Sequence, residues 1–139
     1  MGENSMYYFA YASNLNRKQM SQRCPDSKPK LIATLPNFKI IFTGWSRQRR
    51  GGTASIKPVK GEKVIGGIYE ITEADFKKLD KYEDCPATYK RLNVTVWTDG
   101  GDPIEAVTYI KAEQQSQEAK PSPEYLAVIQ QGYKDWQII

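Results

Sequence analysis

An uncharged run of seven residues, Met6–Ala12, ends abruptly at two short polar residues, Ser13 and Asn14. Apolar and aromatic side chains without an intervening charge are typical of a strand that is buried on both faces. The stretch Asn16–Met20 follows with helix formers, and Ser13 or Asn14 would be a good N-cap for a helix there. A buried strand that continues directly into a helix leaves backbone N–H groups at its end, where an anion can bind. The simpler alternative is a core strand followed by an ordinary helix cap.

Length and composition indicate one globular domain, and we expect it to span residues 1–139. Hydrophobic residues make up 40% and charged residues 26% of the chain, which is ordinary for a protein with a packed core. No segment approaches the ~20 apolar residues that cross a bilayer. The first residues lack the basic and apolar regions of a signal peptide. We therefore expect a soluble cytoplasmic protein with no membrane partner, present as a monomer or homodimer.

The residue types exclude several kinds of site. The chain has no histidine, which excludes His-based catalytic triads and the usual zinc sites. The two cysteines, Cys24 and Cys85, each precede a proline and show no metal-ligand spacing, so we expect reduced thiols, no metal and no cofactor. The net charge of +4 fits either an anionic small molecule or a weak nucleic-acid contact, and it does not choose between them.

The patterning predicts six or so strands with interspersed helices, which is an α+β protein. The predicted strands beyond Met6–Ala12 are Lys30–Leu35, Phe38–Thr43, Thr53–Pro58, Lys63–Ile71, Tyr89–Thr98 and Ile104–Lys111. The predicted helices are Asn16–Arg23, a helix capped by Thr72 that ends near Tyr82, and a last helix capped by Ser122 with Pro123 at its first position. The turn Asp99–Asp102 is predicted to join the last two strands as a hairpin.

Glycines and polar residues mark the remaining connections. Gly44–Gly52 is predicted as a basic loop, and the pair Gly66-Gly67 as a bulge or a close backbone approach. Glu113–Lys120 is polar and is predicted as an exposed loop. In the last helix, Gly132 costs stability unless close packing makes use of it.

The second helix carries a carboxylate on its apolar stripe. Phe76, Leu79 and Glu83 are spaced i, i+3 and i+7, so they share the face that a helix turns toward the core. Burial there would raise the pKa of the Glu83 carboxyl toward the range that suits proton transfer. The alternative is that the helix frays before Pro86 and that Glu83 points to water.

Four segments carry motifs. Tyr8–Leu15 reads Y-F-A-Y-A-S-N-L, Gly51–Ile71 contains G-T-A-S-I-K-P and V-I-G-G-I-Y-E-I, Leu79–Asp84 reads L-D-K-Y-E-D, and Pro121–Leu126 reads P-S-P-E-Y-L. These segments resemble the γ-glutamylcyclotransferase-like family, whose patterns are Y-x-x-Y-G-S-N-L, G-T-A-x-I-x-P with V-x-G-x-x-Y-E-I, L-D-x-x-E-G and P-S-x-x-Y-L. The resemblance extends through most of the chain. It implies a small mixed β-barrel flanked by helices, which the patterning alone does not predict.

The resemblance also implies a reaction, the cyclisation of a small-molecule γ-glutamyl substrate to 5-oxoproline with release of an amine or amino acid. The family's general acid/base falls on Glu83, with Asp80, one turn earlier, as the second candidate. The substrate's own α-amine is the nucleophile, so the lack of histidine is no obstacle. The implied substrate-binding residues are Tyr11, Ala12, Ser13, Asn14 and Leu15, largely through backbone N–H groups, and the three tyrosines Tyr89, Tyr109 and Tyr125.

Two positions depart from the family pattern. Ala12 stands where the first motif has glycine, so the loop is not expected to need a positive φ there. Asp84 replaces the glycine that follows the acid/base. A second carboxylate beside Glu83 would raise its pKa further if both were poorly solvated.

Several alternatives stay open on the sequence. Related proteins act on γ-glutamylamines, on γ-glutamyl-amino acids or on carrier-bound γ-glutamyl groups, and the leaving group is not evident from the residues. The loop Arg47–Arg50 fits an acidic leaving portion, a carrier phosphate or simply a solvated surface. Together with Trp45 it also fits a contact to single-stranded nucleic acid, although the nearly balanced charge elsewhere disfavours that partner. A domain of the same fold without turnover is the last alternative.

Overall fold

Within the residues that the structure describes, 5–113 and 117–138, five strands close into a barrel in the order β1-β3-β2-β4-β5. The structure is a computed structural model. The strands are β1 Ser5–Ala10, β2 Lys28–Ser46, β3 Gly51–Thr72, β4 Tyr89–Trp97 and β5 Pro103–Lys111. The helices are a 3₁₀ helix Ser13–Leu15, α1 Arg17–Arg23, α2 Glu73–Tyr82 and α3 Pro123–Asp135. This architecture confirms the predicted α+β class with a mixed barrel, because β1 pairs antiparallel with β3 and parallel with β5.

β1 is buried on both faces over Tyr8–Ala10, which confirms the prediction for the second half of the strand, whereas Tyr7 in the first half is exposed. Its side chains alternate between two cores, because successive residues of a strand point to opposite faces of the sheet. Phe9 and Tyr11 belong to a core to which all five strands contribute. Tyr8 and Ala10 belong to a second core, which contains Phe76 of α2 and other residues of the helices. The strand therefore separates the interior of the barrel from the layer beneath the helices.

β2 and β3 are long, and each replaces two shorter predicted strands. The predicted break at Pro36 and Asn37 is wrong, since the pairing continues on both sides of a bulge at this point. Asn37 has a positive φ of 64°, and its side-chain Oδ1 accepts a hydrogen bond from the Gly61 N–H at 3.0 Å. Residues that usually form turns are thus accommodated within the strand pair, as β-bulges allow.

The basic loop is shorter than predicted. β2 continues to Ser46 and β3 begins at Gly51, so only residues 47–50 form the turn. The Arg50 N–H donates to the Ser46 carbonyl at 2.7 Å, and Arg50 has a positive φ of 59°. This tight turn holds Arg49 at one end of the barrel.

The helix after β1 is capped by a different residue than predicted. Asn16 is the N-cap of α1, and its side chain accepts the Gln19 N–H at 3.0 Å. Ser13 and Asn14 lie in the preceding 3₁₀ helix instead. Their side chains are used elsewhere, because Ser13 accepts from the Gln19 side chain and Asn14 donates to the Tyr8 hydroxyl.

The other helix boundaries agree with the prediction. Thr72 caps α2 in a capping box with Asp75, in which each side chain bonds the other residue's backbone N–H. Ser122 caps α3, and Pro123 occupies its first position. β4 and β5 form the predicted hairpin, paired from Tyr89 to Trp97.

Close backbone approach explains the pair Gly66-Gly67. A Cβ on Gly66 would overlap the Ala10 carbonyl oxygen, and one on Gly67 would lie 2.8 Å from the Trp136 ring. The close-approach prediction is therefore confirmed. The two glycines allow β3 to pack directly against β1 and the end of α3.

Some predictions concern residues outside the described ranges. The segment Glu113–Lys120, predicted as an exposed loop, includes residues 114–116, and the signal-peptide analysis concerned the first residues, of which 1–4 also lie outside. In the part that is described, no helix combines the length and hydropathy needed to span a bilayer.

Candidate active site

Glu83 is the C-cap of α2, at the end of the apolar stripe. Phe76 and Leu79 on the same stripe are fully buried, and the Glu83 N–H still donates to the Leu79 carbonyl at 2.8 Å. The helix therefore stays intact to this residue, and the Glu83 side chain is only 17% exposed. Asp84 follows with a positive φ of 52°, which a glycine adopts freely and an aspartate tolerates, so the backbone explains both the family's glycine and its substitute.

The Glu83 carboxyl lies in a small inner cavity of about 40 Å³. The residues that line this inner cavity are Tyr8, Tyr11, Ala12, Ser13, Asn14, Ala54, Glu83, Tyr89, Tyr109 and Tyr125. The structure thus brings together Glu83, four of the five loop residues expected to bind substrate, and all three expected tyrosines.

Leu15 is the expected site residue that does not reach the inner cavity. Its side chain is fully buried in the core beneath the helices. Its N–H donates to the Ala12 carbonyl at 3.0 Å, and its carbonyl accepts from the Trp136 indole at 2.8 Å. Leu15 therefore anchors the loop rather than offering a donor to a ligand.

The loop after β1 lines the cavity with Ala12, Ser13 and Asn14. The first hydrogen bond of the 3₁₀ helix joins the Leu15 N–H to Ala12, so the N–H groups of Ser13 and Asn14 precede the helical ladder and are not used by it. Ala12 has a φ of −135°, so no left-handed conformation is required where the family has glycine. The backbone of Asn14 is held in place, since its carbonyl accepts a hydrogen bond from the Tyr69 hydroxyl at 2.8 Å.

Burial raises the pKa of the Glu83 carboxyl above its ordinary value. Arg23 and Arg49 oppose this shift without cancelling it, and Asp80 adds to it. The position at the C-terminus of α2 acts in the same direction as burial, because the negative end of the helix dipole disfavours a carboxylate. Asp84, by contrast, is exposed and accepts the Thr88 hydroxyl at 2.7 Å.

Asp80, the second candidate acid, is tied into a different set of contacts. Its carboxylate accepts two hydrogen bonds from Arg91, at 3.1 and 2.8 Å, and one from the Tyr109 hydroxyl at 2.6 Å. Burial alone would raise the pKa of Asp80, but these hydrogen bonds outweigh it and leave the pKa below its ordinary value. A carboxylate held in its charged form is suited to positioning Tyr109 and not to exchanging protons near neutral pH.

Tyr89 and Tyr125 hold the opposite wall of the cavity. The Tyr89 hydroxyl donates to the Ala54 carbonyl at 2.6 Å, and the Tyr125 hydroxyl accepts the Ala54 N–H at 3.0 Å. Burial raises the pKa of both phenols, so both stay neutral. Tyr109 is held through its backbone, because its carbonyl accepts a hydrogen bond from the Tyr11 hydroxyl at 2.8 Å.

Two arginines at the site were not predicted to act together. Arg23 Nη1 lies 3.5 Å from the Glu83 carboxylate and 3.1 Å from Asn14 Oδ1. Arg49 donates to the Gln19 side chain at 3.0 Å. Arg49 belonged to the predicted basic loop, but Arg23 carried no signal beyond its place in the last turn of a short helix. Both reach the site only in the tertiary structure, Arg23 from the last turn of α1 and Arg49 from the turn between β2 and β3.

A larger outer cleft of about 490 Å³ borders the inner cavity. The two share Ser13, Glu83, Tyr89 and Tyr125 as lining residues. Other residues that line the outer cleft include Arg23, Trp45, Arg49, Tyr82 and Lys111. Within the described ranges no cluster of three Cys, Asp or Glu residues is placed to hold a metal ion.

The chain is similar to known proteins in both sequence and structure. The family model described as gamma-glutamyl cyclotransferase, AIG2-like, matches residues 8–134. Human γ-glutamylcyclotransferase is 31% identical over 138 residues, which cover 96% of this chain and 72% of the human protein. Mouse γ-glutamylaminecyclotransferase is 43% identical over 54 residues, or 36% of each chain. A solved structure of a γ-glutamyl cyclotransferase superposes with a TM-score of 0.89 at 29% identity, covering 95% of this chain and 80% of that one.

Proposed function

Because the chain belongs to the AIG2-like γ-glutamyl cyclotransferase family and is an enzyme of that type, we propose that it cyclises a γ-glutamyl compound to 5-oxoproline, with Glu83 as the general acid/base. The observation that carries this proposal is the place of Glu83. Its side chain is largely buried and lines the inner cavity together with Ser13 and Asn14, whose N–H groups precede the hydrogen bonds of the 3₁₀ helix.

The first step is proton removal from the substrate's α-ammonium group. A free α-amine has a pKa near ~8 and an ordinary glutamate one near ~4.3, so an unperturbed carboxylate would be a weak base for this task. The burial that raises the pKa of Glu83 narrows the gap. Glu83 accepts the proton, and the neutral amine attacks the γ-carbonyl carbon.

The second step is collapse of the tetrahedral intermediate. The negative charge that develops on the γ-carbonyl oxygen requires preorganised donors, and the N–H groups of Ser13 and Asn14 supply them. The bond from the γ-carbon to the leaving nitrogen then breaks, and Glu83 returns its proton to that nitrogen. After the attack the ring nitrogen still carries a second proton, and the regenerated carboxylate accepts this proton and passes it to the released amine. Protons and charge then balance, because the α-ammonium group has lost two protons and the leaving nitrogen has gained two.

Ring closure is intramolecular, so holding the substrate in a folded conformation supplies much of the rate. The inner cavity is lined by Tyr11, Tyr89 and Tyr125 but is too small by itself for a γ-glutamyl group, so the folded substrate lies with its reacting end at Glu83 and extends into the outer cleft. The shared residues at its mouth leave the departing nitrogen next to the outer cleft.

The test is Glu83→Gln, assayed for release of 5-oxoproline from a panel of γ-glutamyl amines and γ-glutamyl-amino acids. Glutamine keeps the shape and removes the exchangeable proton, so we expect turnover to fall by roughly 10²–10⁴-fold. Asp84→Asn is the matched control, since it neutralises the neighbouring exposed carboxylate, and it should retain activity. Full activity in Glu83→Gln would remove this residue from the mechanism.

The same variant should fold as stably as the wild type at neutral pH. Because the pKa of Glu83 is raised in the folded protein, the wild type loses stability as the pH rises from the unfolded pKa toward the folded one. A neutral glutamine avoids that loss. Thermal unfolding at pH 5 and pH 7.5 therefore separates loss of chemistry from loss of folding, and a lower Tm for Glu83→Gln at pH 7.5 would contradict this account.

A further inference from the structure

One glutamine of α1 joins the loop after β1 to the turn between β2 and β3. Its side-chain nitrogen, Gln19 Nε2, donates to Ser13 Oγ at 3.0 Å and to Asn14 Oδ1 at 3.1 Å. Its oxygen, Gln19 Oε1, accepts a hydrogen bond from Arg49 Nη2 at 3.0 Å. A primary amide has two N–H donors, so both donors of Gln19 are used by the loop while its oxygen is used by the turn.

The start of α1 fixes the position from which this side chain acts. The Gln19 N–H donates to the side chain of Asn16, the N-cap of the helix, at 3.0 Å. The Asn16 N–H in turn donates to the Ser13 carbonyl at 3.0 Å, so the loop continues into the helix without a flexible connection. The Gln19 side chain is therefore held over the loop by the backbone that leads out of it.

On the loop side, Gln19 completes the hydrogen bonding of a buried asparagine. Asn14 Oδ1 accepts from Gln19 and from Arg23 Nη1, each at 3.1 Å, and Asn14 Nδ2 donates to the Tyr8 hydroxyl at 2.9 Å. Gln19 and Arg23 thus occupy both acceptor positions of this oxygen, which fixes the orientation of the Asn14 amide. Fixing this side chain, together with Ser13 Oγ, restrains the backbone N–H groups of the same short segment.

On the turn side, the contact continues to the wall of the cavity. The Arg49 guanidinium lies 4.9 Å from the centre of the Tyr125 ring. Ser13 and Tyr125 both line the inner cavity and the outer cleft, so contacts through Gln19 and Arg49 connect two residues of the site. Gln19 itself lines neither cavity within the described part of the chain. It can therefore hold residues of the site in place without touching the substrate.

We propose that Gln19 is a positioning residue for the reaction, which holds the N–H groups of Ser13 and Asn14 where the developing oxyanion requires them. This inference rests on the function proposed above, since it takes these two groups as the oxyanion donors. Such donors lower the barrier only if their positions are set before the reaction begins. A misplacement of about 1 Å, caused by a residue away from the reacting atoms, can cost on the order of 10²-fold in rate.

The test is Gln19→Met, which keeps the length of the side chain and removes the amide. Turnover of the best γ-glutamyl substrate of the panel should show a kcat that is lower by roughly 10–10²-fold, with a KM that changes by less than about threefold. This division is expected because the donors act on charge that exists only in the transition state. Gln22→Met, the same substitution at an exposed position of α1, is the matched control and should keep the kcat of the wild type.

Gln19→Asn is the second variant and serves if Gln19→Met does not fold. It retains the amide but withdraws it by one methylene from partners that now lie at 3.0 and 3.1 Å, so its kcat should also fall. Thermal unfolding shows whether each variant is folded at the assay temperature. A kcat within about twofold of the wild type in a folded Gln19 variant overturns the proposal, as does an increase of KM alone.

NMR relaxation of the protein without substrate gives a measurement that does not depend on turnover. In the wild type the amides of Ser13 and Asn14 should have the order parameters of rigid backbone, about 0.85, and in Gln19→Met these should fall toward about 0.6. Gln22→Met should leave them unchanged. If the wild type releases no 5-oxoproline from any substrate of the panel, the proposed function fails, and this measurement still decides whether Gln19 holds the loop. Chemical shifts and order parameters that stay the same in Gln19→Met overturn the proposal.

Discussion

Two carboxylates of α2, one helical turn apart, have opposite environments. Glu83 lies at the C-terminal end of the helix in the inner cavity, where burial raises its pKa. Asp80 accepts three hydrogen bonds from Arg91 and Tyr109, which hold its pKa below the ordinary value. Environments that push two pKa values apart separate the residue that exchanges protons from the one that does not.

Arg23 tunes the acid/base through its contact of 3.5 Å with Glu83. Because this guanidinium opposes the effect of burial, Arg23→Gln should raise the pKa of Glu83 further. The base must be deprotonated to act, so the acidic limb of the kcat/KM profile should move to higher pH. A pH–rate profile measures this shift, with the exposed Arg47→Gln as control. A limb that moves to lower pH, or stays in place, would contradict the assigned role of Arg23.

Tyr125 has both a structural and a binding role in this geometry. In Tyr125→Phe the Ala54 N–H loses its acceptor, which should cost about 1–3 kcal/mol of unfolding free energy. The cavity wall also loses its hydroxyl, so we expect KM to rise more than kcat falls. Tyr133→Phe, on the same helix, is the control. Unchanged kinetics in Tyr125→Phe would assign this tyrosine to packing alone.

The helices are attached to the barrel through close contacts that position the loop after β1. α3 crosses the 3₁₀ helix, where Trp136 donates to the Leu15 carbonyl and Asn16 donates to the Val128 carbonyl at 3.2 Å. Gly132 makes this crossing possible, since a Cβ there would lie 2.6 Å from the Asn16 nitrogen. The N–H groups offered to the substrate are therefore supported by the last helix of the chain.

Gly132→Ala tests this contact. In an exposed helix the change would stabilise by about 1 kcal/mol, whereas overlap with the backbone of Leu15 and Asn16 should destabilise by about 1–3 kcal/mol. The two effects change the unfolding free energy in opposite directions, so chemical denaturation distinguishes them. Ala127→Gly, at an exposed position of the same helix, measures the propensity effect alone. A more stable Gly132→Ala protein would show that the contact is looser than described.

Barrel and helices are joined by a polar network as well as by the two cores. Arg91 of β4 binds Asp80 and Glu73 of α2, and Tyr109 of β5 donates to the same Asp80. The network holds both ends of α2 against the barrel and thereby helps to position Glu83 at the cavity.

Asp80→Asn should lower the unfolding free energy at pH 7 by about 1–3 kcal/mol, since it weakens hydrogen bonds to a charged partner. The depressed pKa of Asp80 contributes stability that is present above its unfolded pKa and is lost as the pH falls through the folded one. The difference from wild type should therefore shrink below about pH 4. Urea titrations at pH 7 and pH 3 measure it, with Asp84→Asn as the control. A constant difference would show that Asp80 acts through packing.

Sequence patterning was most successful where the cause is local. The caps at Thr72 and Ser122, the β4–β5 hairpin and the placement of Glu83 on an apolar stripe depend on neighbours along the chain. The predicted strand break at Pro36-Asn37 was wrong because pairing with the long β3 continues past a bulge whose residues are typical of a turn. The N-cap of α1 was also wrong, since tertiary contacts engage the Ser13 and Asn14 side chains.

The residues alone therefore determined the buried first strand, the polar loop after it and the carboxylate that ends the second helix, because each follows from the chemistry of adjacent side chains. Closure of the barrel and the approach of Arg23 and Arg49 to Glu83 were decided only in the tertiary structure. These groups come from separate elements, so the local sequence pattern of any one element does not predict that they lie close together. Burial in a shared cavity then supplied the pKa shift on which the proposed chemistry depends.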